Sequence, residues 1–319
     1  MKHFYLTIFI AFYYGLSIAN ELDTALVPSA TISGNATVCQ NAASPVITFT
    51  GSGGTAPYTF GYKINNGVTL FVSTTGSNNS ITVPVTTSVA GTFIYTLVNV
   101  SDSQPPSNPV SASGSVTVTV NAPPVVDFTF NNNNTCSGTS IQFNSSVVGS
   151  GSYTYSWNFG DATALSTQQN PTHTFEALGC GNSTFNVTLT VTGGGCTVTK
   201  SYSITVKQKP DISFNDVNSP FDPFSNCSNA SSNPVYSITV GNQSASTCIT
   251  SFSINWGDGI VENNVTFPKS HTYPLIGAYT MVITAVGTNG CINTKSYIIK
   301  NVSNPLGGLN SPGSTQNLC

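Results

Sequence analysis

Ser156-Trp157-Asn158-Phe159-Gly160-Asp161 returns, little changed, as Ser253-Ile254-Asn255-Trp256-Gly257-Asp258. Each copy is followed by a second shared word, Thr172-His173-Thr174-Phe175 in one and Ser270-His271-Thr272-Tyr273 in the other. Asp161 and Asp258 stand 97 positions apart, and His173 and His271 stand 98 apart. Periods of about 20 to 50 residues build solenoids and propellers, whereas one near the roughly 100 residues of a β-sandwich makes a string of separate modules. A chain of 319 residues has room for three such modules behind a short leader.

The residues leading into each shared word alternate. Tyr153, Tyr155, Trp157 and Phe159 occupy every second position, as do Phe252, Ile254 and Trp256, so each set points to one face of a strand. Such a ladder could stack sugars, but it recurs in both copies and each ring is worth most when buried, which favours core packing. Companion strands carry the same period: Phe185, Val187, Leu189 and Val191 match Tyr279, Met281, Ile283 and Ala285, and Phe93, Tyr95 and Leu97 repeat the pattern upstream. One apolar face per strand, with Thr, Asn and Ser on the other, is what two packed antiparallel sheets need. Strands are expected at 46–50, 58–64, 81–85, 92–98 and 115–120; at 125–130, 140–145, 153–159, 185–192 and 201–206; and at 211–214, 235–240, 249–256, 278–286 and 295–302. No helical stripe is found. The expected fold is therefore all-β, with sandwich modules at 30–122, 123–208 and 209–303, the first boundary set by Pro123-Pro124 and the second by Pro210.

Composition narrows the function. Charged residues make up 6% of the chain, the eight basic residues are all lysines, and the net charge is −3. Without arginine forks or a basic run, nucleic acid and acidic lipid are poor partners. Residues 1–19, with Lys2, an apolar run over 4–16 and Ser17-Ile18-Ala19, read as a signal peptide, so the mature chain is expected to be secreted, outside the cell or at its surface. No later stretch is apolar enough for a membrane span. Residues 304–319 read as a Gly/Ser/Pro linker cut off at Cys319, as expected either of a longer natural protein or of a truncated gene. The many Asn-x-Ser/Thr triplets, such as Asn186-Val187-Thr188, are expected by chance in a chain of this composition rather than as glycosylation sites.

Eight cysteines in an exported chain point to disulfides. Cys136 and Cys196 stand in the second module much as Cys227 and Cys291 stand in the third, so the expected bridges are Cys136–Cys196 and Cys227–Cys291, each closing about 60 residues and contributing about 4 kcal/mol. Cys39, Cys180, Cys248 and Cys319 have no counterpart, which leaves free thiols or an interdomain bridge open for them.

The remaining chemistry-bearing residues are few. Gly160-Asp161 and Gly257-Asp258 end the aromatic strand, where glycine permits positive φ and a carboxylate accepts from turn N–H groups. Calcium would need six or more oxygens and clustered carboxylates, and Asp216, Asn218 and Asp222 come nearest to a cluster. His173 and His271 each follow an Asp, and a Ser-His-Asp triad assembles only in space. Duplication of both histidines within the same local word favours a fold determinant over two hydrolase sites. No metal set is expected, since each module holds one His without ligand spacing.

Trp157 to Asp161, Thr172 to Phe175 and the strand from Phe185 to Val191 together resemble the PKD (polycystic kidney disease) repeat, with its aromatic-x-Phe-Gly-Asp turn, His-Thr-Tyr segment and closing aliphatic strand. Residues 254–259, 271–273 and 279–285 are similar to a second, more divergent copy, while residues 30–122 resemble only a general immunoglobulin-like module. Ala162 replaces a usual Gly, Phe175 a usual Tyr, and Ile254 falls where the other copy has Trp157. The resemblance implies structural roles for Trp157, Phe159, Gly160, Asp161, His173, Phe175, Trp256, Gly257, Asp258, His271 and Tyr273. It implies tandem immunoglobulin-like (PKD-type) antiparallel sandwiches without catalysis and without cofactor. The Asn/Thr-rich style is similar to large surface proteins of gliding Gram-negative bacteria, which implies a monomeric adhesive or spacer array in contact with a surface protein or polysaccharide. The alternative is an accessory region of a secreted polysaccharide- or protein-degrading enzyme whose catalytic domain lies outside this chain.

Overall fold

The computed structural model describes residues 26–104, 109–218, 224–229 and 235–303; the leader, the tail, Asp222 and the side chain of Cys227 lie outside them. Among these residues every regular element is a strand, and the chain divides into two compact units, Met1–Ala122 and Pro123–Cys319.

In the first unit, β1 (Ser29–Ser33), β3 (Val46–Ser52) and β6 (Ser80–Pro84) form one sheet in the order β1-β3-β6. The facing sheet has β2 (Ala36–Cys39), β4 (Thr59–Ile64), β5 (Leu70–Ser73), β7 (Gly91–Ser101) and β8 (Val110–Asn121), in the order β2-β8-β7-β4-β5. All pairs are antiparallel except β2 with β8, where the first strand changes sheet and runs beside the last. Ile47, Phe49, Phe60, Tyr95 and Leu97 meet between the sheets. Register shifts at Gly61/Tyr62 and at Leu97/Asn99 change which alternate residue faces inward, so Val100 is buried although it breaks the parity of Tyr95 and Leu97.

The second unit holds two sandwiches, each with its own core. In the first of them β9 (Val125–Phe130), β10 (Ser140–Val148) and β12 (Thr172–Thr174) pair in the order β12-β10-β9, facing β11 (Thr154–Asn158), β13 (Asn182–Gly193) and β14 (Cys196–Lys207) in the order β11-β13-β14. In the other, β15 (Phe214–Asp216), β17 (Tyr236–Asn242) and β20 (Lys269–Tyr273) face β16 (Ser225–Asn229), β22 (Ile292–Ser303), β21 (Gly277–Gly287), β18 (Ile249–Asn255) and β19 (Val261–Asn263). The aromatic ladders line these cores: Trp157, Phe159, Ile254 and Trp256 are buried, with Tyr153, Tyr155 and Phe252 packed at the margin. The histidine words are themselves strands, β12 and β20, which are too short for alternation to reveal.

The expected disulfides are corrected. Cys136 bonds to Cys291, so neither Cys136–Cys196 nor Cys227–Cys291 forms, and a second bridge joins Cys180 to Cys248. Cys39 and Cys196 are each disulfide-bonded as well. The Cys136–Cys291 and Cys180–Cys248 bridges tie the two sandwiches of the second unit together, because both pairs converge on the segment that joins them. Cys136 forms a parallel bridge with Lys207, and the Lys207 carbonyl also lies against Cys291 Sγ. On the other flank Gly179 N–H donates to Lys209 O and Gln208 N–H to Gly181 O, which places Cys180 beside Cys248. Asn289 Nδ2 donates to Gln208 O and Asn293 Nδ2 to Pro210 O, so the joint is pinned from the third module as well. Symmetry between modules suggested pairing within each; pairing is decided instead by which ends of two neighbouring sandwiches meet.

Candidate functional site

At the ends of β11 and β18 the chain must turn sharply beneath β13 and β21. Gly160 has φ 77° and Gly257 φ 82°, and a Cβ would stand 2.6 Å from Asn186 O in one module and 2.5 Å from Thr280 O in the other. Both the left-handed conformation and the close passage therefore require glycine. The preceding asparagine fastens the turn: Asn158 Oδ1 accepts from Gly160 N–H (2.9 Å) and Asn255 Oδ1 from Gly257 N–H (3.0 Å).

This turn delivers the aspartate to the histidine of the adjacent strand. His173 Nε2 lies 2.7 Å from Asp161 Oδ2, and His271 Nε2 lies 2.7 Å from Asp258 Oδ2. An ionised carboxylate only accepts, so Nε2 carries the proton and donates. The second carboxylate oxygen is also engaged: Asp161 Oδ1 accepts from Thr163 Oγ1 (2.6 Å) and Thr163 N–H (3.2 Å), and Asp258 Oδ1 accepts from Ile260 N–H (3.1 Å). Burial pushes both carboxyls up, but donation from Thr163 and His173 to Asp161, and from His271 and Ile260 to Asp258, outweighs it and holds both below the usual carboxylate range.

The rings are held as tightly as the charges. His173 lies flat on Phe159 at 3.8 Å with 2° between planes and meets Phe175 edge-on at 4.7 Å. His271 lies on Trp256 at 4.5 Å and 10° and meets Tyr273 edge-on at 4.8 Å. The stack continues to the companion strand, Phe175 on Phe185 at 4.6 Å and Tyr273 on Tyr279 at 4.5 Å. Tyr273 adds a hydrogen bond from its hydroxyl to Trp256 O (2.9 Å), and burial pushes its phenol well up. The pairs are mostly covered, with side-chain exposure of 14% and 9% for His173 and Asp161 and of 9% and 11% for His271 and Asp258.

The indole hydrogens close the box. Trp157 Nε1 donates to Gln168 O (2.9 Å), and Trp256 Nε1 donates to Glu262 Oε1 (3.0 Å), whose other oxygen pairs with Lys269. The two tryptophans occupy different positions of the shared word, since Phe159 and Trp256 carry the histidines while Trp157 and Ile254 sit one layer deeper. All eleven residues singled out in the two words thus come together, six in one module and five in the other. Thr163, Glu262 and Lys269 escaped the sequence reading because their partners are reached through the turn, and no shared word marks them.

Among the described residues no group of three His, Cys, Asp or Glu is placed to hold a metal ion. Asp216 is buried and accepts from Asn218 N–H and Tyr236 Oη, each at 3.0 Å, in the manner of a turn cap. No helix among the described residues is long and apolar enough to cross a membrane.

Residues 121–206 match the family model described as PKD domain. Among solved structures, the chain is similar to the PKD1 domain of Vibrio anguillarum Epp, at 24% identity over 28% of this chain and 98% of that one (TM-score 0.24). It is similar to a Ca2+-stabilised adhesin with which an Antarctic bacterium binds ice, at 14% identity over 86% of this chain and 74% of that one (TM-score 0.37). It is also similar to the I-band fragment I67–I69 from titin, at 13% identity over 88% of this chain and all of that one (TM-score 0.35). No curated protein matches the chain.

Proposed function

We propose that this chain, whose residues 121–206 match the PKD domain model, is an exported, non-catalytic array of β-sandwiches that spaces and presents a contact surface for protein or polysaccharide at the cell surface. The observation that carries the reading is the state of the Asp–His pairs. A carboxylate accepting from one imidazole nitrogen is common to catalytic triads and structural pairs, so the hydrogen bond alone does not separate them. What favours structure here is that the other carboxylate oxygen is fastened to the turn, that each imidazole is stacked on one aromatic ring and meets a second edge-on, and that the arrangement is built twice. Those features support a role in holding β11 to β12 and β18 to β20.

Stiffness supports the spacer part. The Cys136–Cys291 and Cys180–Cys248 bridges flank the joint between two sandwiches, so a load or contact at one is passed to the other with little swing. Several chains side by side would turn weak single contacts into avidity. The low charge suits a surface that contacts neutral polymers without strong steering. Beads coated with the chain are expected to adhere to surfaces bearing bacterial polysaccharide or matrix protein, steeply with coating density. Turnover of ester, peptide or glycoside substrates by the purified chain, abolished in H173A or H271A while the fold persists, would overturn the proposal.

A further inference from the structure

The third sandwich contains an open cleft of about 370 Å3, lined by Asn242, Ile249 to Phe252 and Asn264 to Phe267. It lies where the connection between β19 and β20 passes over the end of β18, away from the Asp258–His271 pair. Phe252 and Phe267 are partly buried there and meet edge-on at 5.1 Å and 85°, with Phe214 behind Phe267 at 5.0 Å. The lining also includes the amide side chains of Asn242 and Asn264 and the hydroxyl residues Thr250, Ser251 and Thr266, of which Thr250 Oγ1 donates to Val286 O (2.9 Å). The lining holds no charged side chain.

The corresponding place in the second sandwich is laced by side-chain hydrogen bonds. Ile141 lies opposite His173 and Ile238 opposite His271, so Ser145 and Asn242 occupy the same register position on their strands. Asn170 Oδ1 accepts from Ser145 N–H (2.8 Å) and Ser145 Oγ (3.2 Å), while Gln142 Nε2 donates to Asn170 O and Pro171 O (both 3.1 Å). In the third sandwich Asn242 Oδ1 turns instead to Ser244 N–H (2.9 Å), and the connecting segment presents Phe267. Two modules on one plan thus differ at this lip, one laced by amide hydrogen bonds and the other lined by aromatic rings.

We propose that this cleft binds a neutral saccharide unit within a longer glycan. A pyranose has apolar C–H faces that pack on aromatic rings and an equator of hydroxyls that exchange hydrogen bonds with carboxamides and hydroxyls. An uncharged lining neither pairs an anionic sugar or phosphate nor repays the desolvation of a cation. The inference rests on the array reading and names the polymer class it contacts.

The test titrates the 15N-labelled full chain with neutral hexasaccharides (cello-, chito-, laminari- and mannohexaose), with polygalacturonate and with a neutral Gly/Ser/Asn hexapeptide, following amide shifts. At least one neutral hexasaccharide is expected to shift the amides of 249–252 and 264–267 saturably, while polygalacturonate and the hexapeptide leave them in place. F267A is expected to weaken binding at least tenfold. Because Phe267 also touches Phe214, T266R serves as the second variant: Thr266 is exposed, and a long side chain there blocks the cleft without disturbing the core. The proposal is overturned if no neutral hexasaccharide shifts those amides, if T266R binds as well as the unaltered chain, or if the hexapeptide occupies the cleft instead. Bead adhesion measured in parallel separates the two readings: adhesion with a silent cleft removes only this inference, and a saturable cleft without adhesion removes only the array function.

Discussion

Replacing His173 by Ala tests whether the shared words build structure. The substitution removes a hydrogen bond to an ionised, mostly covered carboxylate, worth about 1.5–3 kcal/mol. It also removes a ring stacked on Phe159 at 3.8 Å, worth about 0.5–1.5 kcal/mol. Asp161 keeps the Thr163 hydroxyl and N–H, so its charge is not stranded and no larger penalty is added. The expected loss is about 2–4 kcal/mol, which in a cooperative unit of 150–250 residues lowers Tm by roughly 5–15 °C. Scanning calorimetry of the full chain reads this directly, and a double-mutant cycle with D161A is expected to return a coupling of about 1–3 kcal/mol. A Tm shift below about 1 °C, or a coupling indistinguishable from zero, would refute the structural role assigned to the pair.

The aspartates also set the acid limit. The folded carboxyls of Asp161 and Asp258 lie below their unfolded values, so their contribution is full above about pH 4 and is lost as pH falls through the folded value; Tm against pH is expected to fall steeply there, and less so in a D161N/D258N chain. G160A drives a Cβ into Asn186 O at 2.6 Å from a left-handed residue and is expected to cost more than about 2 kcal/mol by urea unfolding, most of it from the forced backbone shift. A162G is expected to stabilise by about 0.5–1 kcal/mol in the same measurement, since Ala162 has φ 63° and carries the Cβ penalty that glycine avoids. Under graded reductant, Cys180 and Cys248 are expected to be alkylated before Cys136 and Cys291, because Cys180 is exposed and Cys291 is 0% exposed; mass spectrometry decides the order. A C180S/C248S chain is expected to lose about 4 kcal/mol with the 68-residue loop it opens.

Much of this architecture was legible because its signals are local. Alternation at 153–159 and 185–192 depends only on successive residues pointing to opposite faces, and both segments are strands that bury the expected side. Gly160 and Asp161 announced a turn because few residues tolerate φ 77°. The strands β12 and β20 were harder: three residues at Thr172–Thr174 hold too few alternations to register, and β12 exists because β10 offers it a partner, as β17 does for β20. β5 and β16 were likewise invisible, being edge strands completed by the sheet beside them.

By itself the amino-acid order determined an all-β chain, repeated near 97 residues, whose aromatic and Gly-Asp words pack sandwiches, since each of those properties follows from neighbours along the backbone. Only the tertiary structure decided that Cys136 meets Cys291 and Cys180 meets Cys248, that Asp161 reaches His173 as Asp258 reaches His271, and that a cleft opens beside Phe252 and Phe267 while Asn170 in the neighbouring sandwich is tied to Ser145. Those outcomes depend on which surfaces face each other across a joint or a sheet. Side chains far apart in order meet there through packing of the whole, and no spacing rule encodes it.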